Sequence, residues 1–484
     1  MSPKPVGRMT PQLSFYNTAS RTQEPFTTLH PGVVNMYCCG PTVYHYAHIG
    51  NLRTFVFEDL LRRVLDYNGY AVKHIVNITD VGHLTSDADT GEDKMEKGAA
   101  REGKSVWEVA EFYTKAFMQD WERLNLKPPT RWTKATDHIP EQIALVETLE
   151  AKGYAYVIPE DGVYFDTAKF PRYADFAGLD IRGMQEGARI GVTEGKRNPT
   201  DFALWKISPS DAKRAMEWDS PWGRGFPGWH VECSAMAMKH LGPTLDIHCG
   251  GSDLIRVHHS NEIAQSEGAT GVTFSRFWMH GGWLLEAPTA DGNGGGKMSK
   301  SAGEFVTVDL LLKKNYGALD YRYFCLGAHY RSYLNFSWEA LDTARDSLKS
   351  LRRKTDPLIG RASAIVSENA LGWQRRFLEA VYDDLGFPQA LAVLNQMLKD
   401  PDLLEGEKAA LVRDFDRLLG LGLAEKTERE EKVLPGPLAA LLEERKDARN
   451  NKDWKRSDEI RDLLKGKGFG VKDNPDGTTS WFPL

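Results

Sequence analysis

The chain has 484 residues, 41% of them hydrophobic, enough to bury a large core and to build two to four domains rather than one. Its 61 basic and 67 acidic residues nearly cancel, which excludes nucleic-acid binding through a strongly basic surface and leaves any RNA contact to be local. No run of 18 or more apolar residues occurs and Met1–Pro11 lacks an apolar stretch, so neither a membrane span nor a secretory leader is expected, and the expected location is cytoplasmic.

In chain order, Val33 to Cys39 reads as a short buried strand ended by Gly40-Pro41. Asn51 to Tyr67 sets Leu52, Phe55, Val56, Leu60 and Val64 on one helical face, with Asn68-Gly69 as the stop. Ala71 to Thr79 then alternates like a strand, which completes a strand–helix–strand unit of the doubly wound α/β kind. A second such unit begins at Leu245–His248 and Gly250-Gly251 and continues in a helix from about Val257 to Gly268. The fold class expected is therefore α/β, a doubly wound parallel-sheet (Rossmann-like) catalytic domain split by an insertion and followed by a helical bundle and a small C-terminal domain. The boundaries expected are 1–130 and 225–290 for its two halves, 131–224 for the insertion, 291–345 for a lysine-bearing loop and connecting domain, 346–435 for the bundle and 436–484 for the tail. Val433-Leu-Pro-Gly-Pro437 reads as the linker before that tail.

Pro41-Thr-Val-Tyr-His-Tyr-Ala-His48-Ile-Gly50-Asn51 lies between a strand end and a helix start, where free N–H groups and the helix dipole favour a phosphate. Gly50 allows close backbone approach, and His48 can donate to a phosphate oxygen. Alone, this is a turn with an incidental histidine. Lys297-Met-Ser-Lys300-Ser301 follows Asp291-Gly-Asn-Gly-Gly-Gly296, and alone it is a solvated basic loop. Together, in this order and about 250 residues apart, the two motifs resemble the signatures of class I aminoacyl-tRNA synthetases. That resemblance implies ATP between them, with Mg2+, and His48, Lys297 and Lys300 stabilising charge at the α-phosphate and the departing pyrophosphate. The chain departs from the family's frequent pattern at Asn51, where a second histidine is usual.

Five cysteines, Cys38, Cys39, Cys233, Cys249 and Cys325, are an odd set that argues for reduced or metal-bound thiols. His258 and Glu262, four apart, share a helix face, while His259 is expected to point about 100° away. With Cys39 and Cys233 they form a donor set suited to zinc, against the alternatives of core cysteines and a helix salt bridge. The runs Cys39-Gly-Pro-Thr-Val-Tyr44, Gly228-Trp-His-Val-Glu-Cys233 and His258-His-Ser-Asn-Glu-Ile-Ala-Gln265 resemble those of cysteinyl-tRNA synthetases in particular. The resemblance implies one Zn2+ per chain on Cys39, Cys233, His258 and Glu262. It also implies a cysteine pocket of Cys39, Thr79, Trp229 and His248, and ATP contacts from His48, Gly50, Asn51, Gly251, Asp253, Lys297 and Lys300. Cys249 stands where glycine is frequent and is read as a small buried thiol rather than a competing ligand.

The tail, Leu441 to Leu484, carries ten basic and nine acidic residues. It is similar to the family's anticodon-reading domain, with Arg449, Asp458 and Asp473 at positions implied to touch tRNA. The function expected is that of a cysteine–tRNA ligase acting, as a monomer, on L-cysteine, ATP and tRNA(Cys). Two alternatives stand beside it: a tRNA-independent ligase joining cysteine to a small amine, in which an anticodon-type tail would have no purpose, and an inactive paralogue, against which the intact signature residues argue.

Overall fold

The structure, a computed structural model, describes residues 12–82, 93–178, 195–209, 214–286, 306–425, 436–473 and 479–483. Two units, 1–424 and 425–484, each have their own core.

The first unit is built on a five-stranded sheet of β1 (Val33–Cys38), β2 (Ala71–Ile78), β3 (Arg131–Lys134), β4 (Leu245–Gly251) and β5 (Ser275–Gly281). The order across the sheet is β5-β4-β1-β2-β3 and every pairing is parallel. Parallel strands covered on both faces need apolar side chains on both, which is why β1 and β4 are almost wholly buried. From β1 the chain winds outward to β2 and β3, and its second half fills the other side with β4 and β5. The winding direction thus reverses between β1 and β4, and the carboxyl ends of those two strands open the crevice where doubly wound folds hold ligands.

Helix α1 (Ile49–Tyr67) is the crossover from β1 to β2, and its apolar stripe of Leu52, Phe55, Val56, Leu60 and Val64 is buried, as the spacing predicts. His48 is its N-cap: the ring Nδ1 accepts from the Asn51 N–H at 3.2 Å, and the Asn51 side chain accepts from the His48 N–H at 3.4 Å. Helix α2 (Trp229–Leu241) precedes β4. After β4 come a 3-10 turn, Ser252–Leu254, a π-helical turn, Ile255–His259, and helix α3 (Ser260–Thr270). The helix expected from about Val257 is thus a π turn at its start. This corrects one expectation, because the wider turn changes the angular spacing of side chains and brings His259 inward with His258.

The insertion carries a four-stranded antiparallel sheet, Ala155–Ile158, Gly162–Phe165, Phe202–Ile207 and Gly225–Pro227, in sequential order. Its core includes Phe165, Phe202 and Trp205 and is shared with Val231 and Ala235 of α2, so the insertion braces the helix that bears Cys233. Arg131–Lys134 belongs to the large sheet, so the boundary expected at 131 moves past Lys134. The bundle consists of Trp338–Thr355, Glu368–Tyr382, Phe387–Met397 and Glu405–Leu419, with Phe377 stacked on Phe415 at 3.8 Å.

The second unit has helices Gly436–Asn450 and Trp454–Gly466 and an antiparallel hairpin, Phe469–Asp473 with Thr479–Pro483, closed over Leu438, Ile460 and Leu464. The expected linker falls partly outside the described residues; its Gly436 and Pro437 open the first of these helices, where a proline lacks no needed N–H.

Candidate metal centre and active site

The crevice between β1 and β4 is a cleft of about 280 Å³ lined by Cys39, Tyr44, His48, Thr54, Trp229 and Asp253, among others. Cys39, on its wall, belongs to a cluster of buried donors. Cys39 follows β1, Cys233 lies in the second turn of α2, His258 is the penultimate residue of the π turn and Glu262 sits in the first turn of α3. The two sulfurs are 4.0 Å apart, Cys39 Sγ is 3.6 Å from Glu262 Oε1, and His258 Nε2 is 3.0 Å from the same oxygen. One ligand atom from each of the four falls within 4.8 Å of the others, and all four residues are buried. A second foursome, Cys39, His248, His259 and Glu262, meets the same test. His259 Nε2 is 3.4 Å from Cys39 Sγ, and His248 Nε2 is 2.9 Å from Glu262 Oε2.

The ionisable groups of this cluster are tightly coupled. Burial raises the Cys39 thiol well above its ordinary range, and the hydrogen bond it gives to Cys233 lowers the second thiol. Burial opposes charge on Glu262 as well, yet His248 and His258 hold it down to about 2. Burial likewise opposes charge on His258, and Glu262 and Cys233 override it to about 10. In this arrangement His258 is the positive partner of Glu262 and Cys233. A soft divalent cation would let both cysteines act as thiolates, and two sulfurs, an imidazole and a carboxylate match zinc rather than the all-oxygen sets of magnesium or calcium.

Ligands alone do not hold such a centre. His259 Nδ1 meets His280 Nε2 at 2.7 Å, and His280 Nδ1 meets Thr18 Oγ1 at 2.8 Å, a chain that fixes the ring beside Cys39. His248 is stacked on Trp278 at 4.5 Å, and His230 Nδ1 meets His258 Nδ1 at 2.9 Å. Sequence reasoning missed Thr18, His259 and His280, because nothing local marks residues gathered from the turn of the N-terminal hairpin (Ser14–Asn17 with Thr22–Pro25), the π turn and β5. Cys249 faces the other side of the sheet with Cys38 and buried Glu58, and it enters neither foursome.

Among known proteins, the family described as tRNA synthetases class I (C), catalytic domain, matches residues 25–346, and the cysteinyl-tRNA ligase anticodon binding domain matches residues 432–481. A cysteine–tRNA ligase 1 of Burkholderia lata is 54% identical over 96% of each chain. The chain belongs to the cysteine–tRNA ligase family. A second such ligase, from Treponema denticola, is 44% identical over 98% of this chain and 100% of its own. The fold is shared more widely. A methionyl-tRNA synthetase of Mycobacterium tuberculosis, solved with methionyl-adenylate, has a TM-score of 0.55 at 16% identity, covering 82% of this chain and 92% of that one. A LeuRS of Agrobacterium radiobacter in a ternary complex has a TM-score of 0.58 at 12% identity, covering 83% and 85%.

As a cysteine–tRNA ligase, the chain activates cysteine with ATP and joins it to tRNA. His48 and Asn51 line the cleft at the start of α1, and Gly50 lies beneath His48: a methyl there would stand 2.9 Å from its Nδ1. Gly251 and Asp253 line it at the end of β4. The Trp229 ring is 4.7 Å from that of His258. Thr79, 1% exposed, pairs with Thr42 behind the cleft wall. Lys297 and Lys300 lie outside the described residues. In the second unit, Arg449 reaches over the half-exposed Trp454 ring at 5.7 Å, Asp458 pairs with Arg461 at 3.1 Å, and the side chain of Asp473 lies outside the described residues. Among the described residues, no helix is long and apolar enough to cross a membrane.

Proposed function

We propose that this cysteine–tRNA ligase selects its amino acid by sulfur, with Zn2+ held by Cys39, Cys233, His258 and Glu262. The convergence of those four buried side chains, drawn from three separate stretches, supports this reading above all else. When bound, zinc supplies a soft cation that takes a thiolate in preference to a hydroxyl. The need is real, since an apolar pocket rejects a near-isostere bearing a hydroxyl by only about a hundredfold.

ATP, with Mg2+, is proposed to lie along His48, Gly50, Asn51, Gly251 and Asp253, its ribose toward Asp253. The substrate carboxylate attacks the α-phosphorus, a carboxylate–phosphorus bond forms, and the bond to pyrophosphate breaks. No general base is required, so the protein's work is orientation and stabilisation of charge. His48 is suited to this by its cap: its Nδ1 accepts from the Asn51 N–H, so in the neutral ring the proton sits on Nε2, a donor for a phosphate oxygen. Lys297 and Lys300 are proposed to neutralise the departing pyrophosphate. A ribose hydroxyl at the tRNA 3′ end then attacks the adenylate carbonyl and AMP leaves. Asn51 has its own task, since it holds the His48 backbone rather than replacing a second cationic donor.

Gly50→Ala is expected to push the His48 ring aside and to lower ATP–pyrophosphate exchange by about 10²-fold, the cost of losing one charge-stabilising donor. Thermal unfolding should shift little, because Gly50 is only half buried.

The decisive assay is amino-acid-dependent exchange: cysteine is expected to support it far better than serine, and equal rates would overturn sulfur selection. Arg449, Asp458 and Asp473 are proposed to touch the anticodon, whose unstacked bases can be read by stacking and edge hydrogen bonds with little net charge. A chain ending at Ala424 is expected to retain exchange and to lose transfer to tRNA; unchanged aminoacylation would remove the recognition role from the second unit.

A further inference from the structure

The wall behind the proposed cysteine pocket contains a hydrogen-bond relay that no motif announces. Gly40, next to Cys39, donates its N–H to Asn77 Oδ1 at 2.7 Å. This fixes the amide: with its oxygen on a backbone N–H, Asn77 must turn Nδ2 the other way, and Nδ2 donates to Thr79 Oγ1 at 3.0 Å. A threonine hydroxyl has one hydrogen and two lone pairs. One lone pair of Thr79 is taken by Asn77, and its hydrogen goes to Glu232 Oε2 at 3.2 Å. Only one lone pair remains, so toward any further partner the hydroxyl acts as an acceptor.

The surroundings sharpen this. Thr79 is tied by main-chain hydrogen bonds to Pro41 and Val43 of the cleft wall, at 3.0 and 3.2 Å. Glu232, fully buried, follows Trp229 by one turn of α2, and Trp229 lines the same cleft. With Glu232 taking its hydrogen, the hydroxyl leaves this wall acceptor-only.

We propose that Glu232 is a positioning residue for the amino-acid site: it holds the Thr79 hydroxyl as an acceptor, and so directs that wall at the substrate's ammonium group. The inference rests on the assignment of Thr79 to the cysteine pocket. It divides recognition into two reads, the sulfur by the metal centre and the ammonium by the Asn77–Thr79–Glu232 relay. Substrate thiols lacking the ammonium therefore lose a specific contact rather than general affinity.

The test uses two probes that share the thiol. Cysteamine has the ammonium and no carboxylate; 3-mercaptopropionate has the carboxylate and no ammonium. Binding of each to the zinc-loaded full chain is measured by calorimetry for wild type, Glu232→Gln, Glu232→Met and Thr79→Val. Glu232→Met and Thr79→Val are expected to weaken cysteamine by about 10- to 100-fold, the range for a hydrogen bond to a charged group, and to leave 3-mercaptopropionate nearly unchanged. Glu232→Gln keeps the shape, removes the charge and can turn an N–H on Thr79, so it should show the same selective loss if the methionine variant does not fold. Equal weakening of both probes, which loss of zinc or general damage would produce, overturns the inference. Selective loss in Thr79→Val without it in either Glu232 variant overturns the role of Glu232 alone. No change in Thr79→Val removes Thr79 from the pocket, and the inference with it.

Discussion

Replacing Cys233 by serine is expected to take bound zinc from about one per chain to near zero and to abolish the preference for cysteine over serine. Cys233 Sγ is 4.0 Å from Cys39 Sγ and accepts its hydrogen bond, and a divalent cation there would let both sulfurs act as thiolates. A serine hydroxyl keeps its proton and leaves three donors, with buried Cys39 beside Glu262 and His259 but without a second thiol. A site that recognises a ligand group directly separates near-isosteres by about 10⁴-fold or more, whereas shape alone gives about 10²-fold. Exchange with cysteine should therefore fall much further than exchange with serine. Metal analysis of purified protein, beside exchange with both amino acids, checks the two halves independently. Retention of a full zinc complement by the variant would move the centre to the second foursome, in which His248 and His259 take the places of Cys233 and His258.

That second foursome also shows where the sequence stops being informative. His258 and Glu262 are four apart, so a helix alone puts them together, and Cys39 and Cys233 can be reached by asking which thiols end a strand or open a helix. His259 is different. Its inward turn depends on one π-helical turn, which no residue pattern announces, and its partners His280 and Thr18 come from β5 and the N-terminal hairpin. The relay through Asn77 and Glu232 is hidden for the same reason, since a buried glutamate next to a ligand cysteine reads as any helix glutamate until β2 is laid against α2. The strand before the insertion is hard to read for a physical reason too. Arg131-Trp-Thr-Lys134 is an edge strand, covered on one side only, and lacks the apolar run that made β1 and β4 legible.

Arg322→Met is expected to cost about 3–5 kcal/mol of stability, the penalty for breaking a buried ion pair by removing one partner. Arg322 is fully buried, and its guanidinium donates to Asp59 Oδ2 at 2.6 Å, to the Leu419 carbonyl at 2.8 Å and to the Leu124 carbonyl at 3.2 Å. Asp59 in turn accepts from Arg63 at 2.8 Å and from the Lys127 N–H at 2.7 Å. Burial alone would raise the Asp59 carboxyl, but Arg322 and Arg63 hold it below its ordinary value of 3.8, so the stability it contributes is present above that value and lost as pH falls below it. One side chain thus ties together α1, the turn after Arg123, the helix Ala318–Leu326 and the end of the bundle. The methionine fills the space but leaves two carbonyls without a donor and Asp59 short of one. Adding Asp59→Leu removes the stranded charge from one side and should recover part of the loss, so the two substitutions are expected to be non-additive. Urea unfolding of the two single variants and the double variant, followed by tryptophan fluorescence, measures the coupling. Because α1 also carries His48 at its other end, ATP–pyrophosphate exchange should survive in Arg322→Met at low temperature and fail at temperatures where the wild type still works. A variant as stable as wild type would mean that the bundle is held to α1 by its apolar contacts alone.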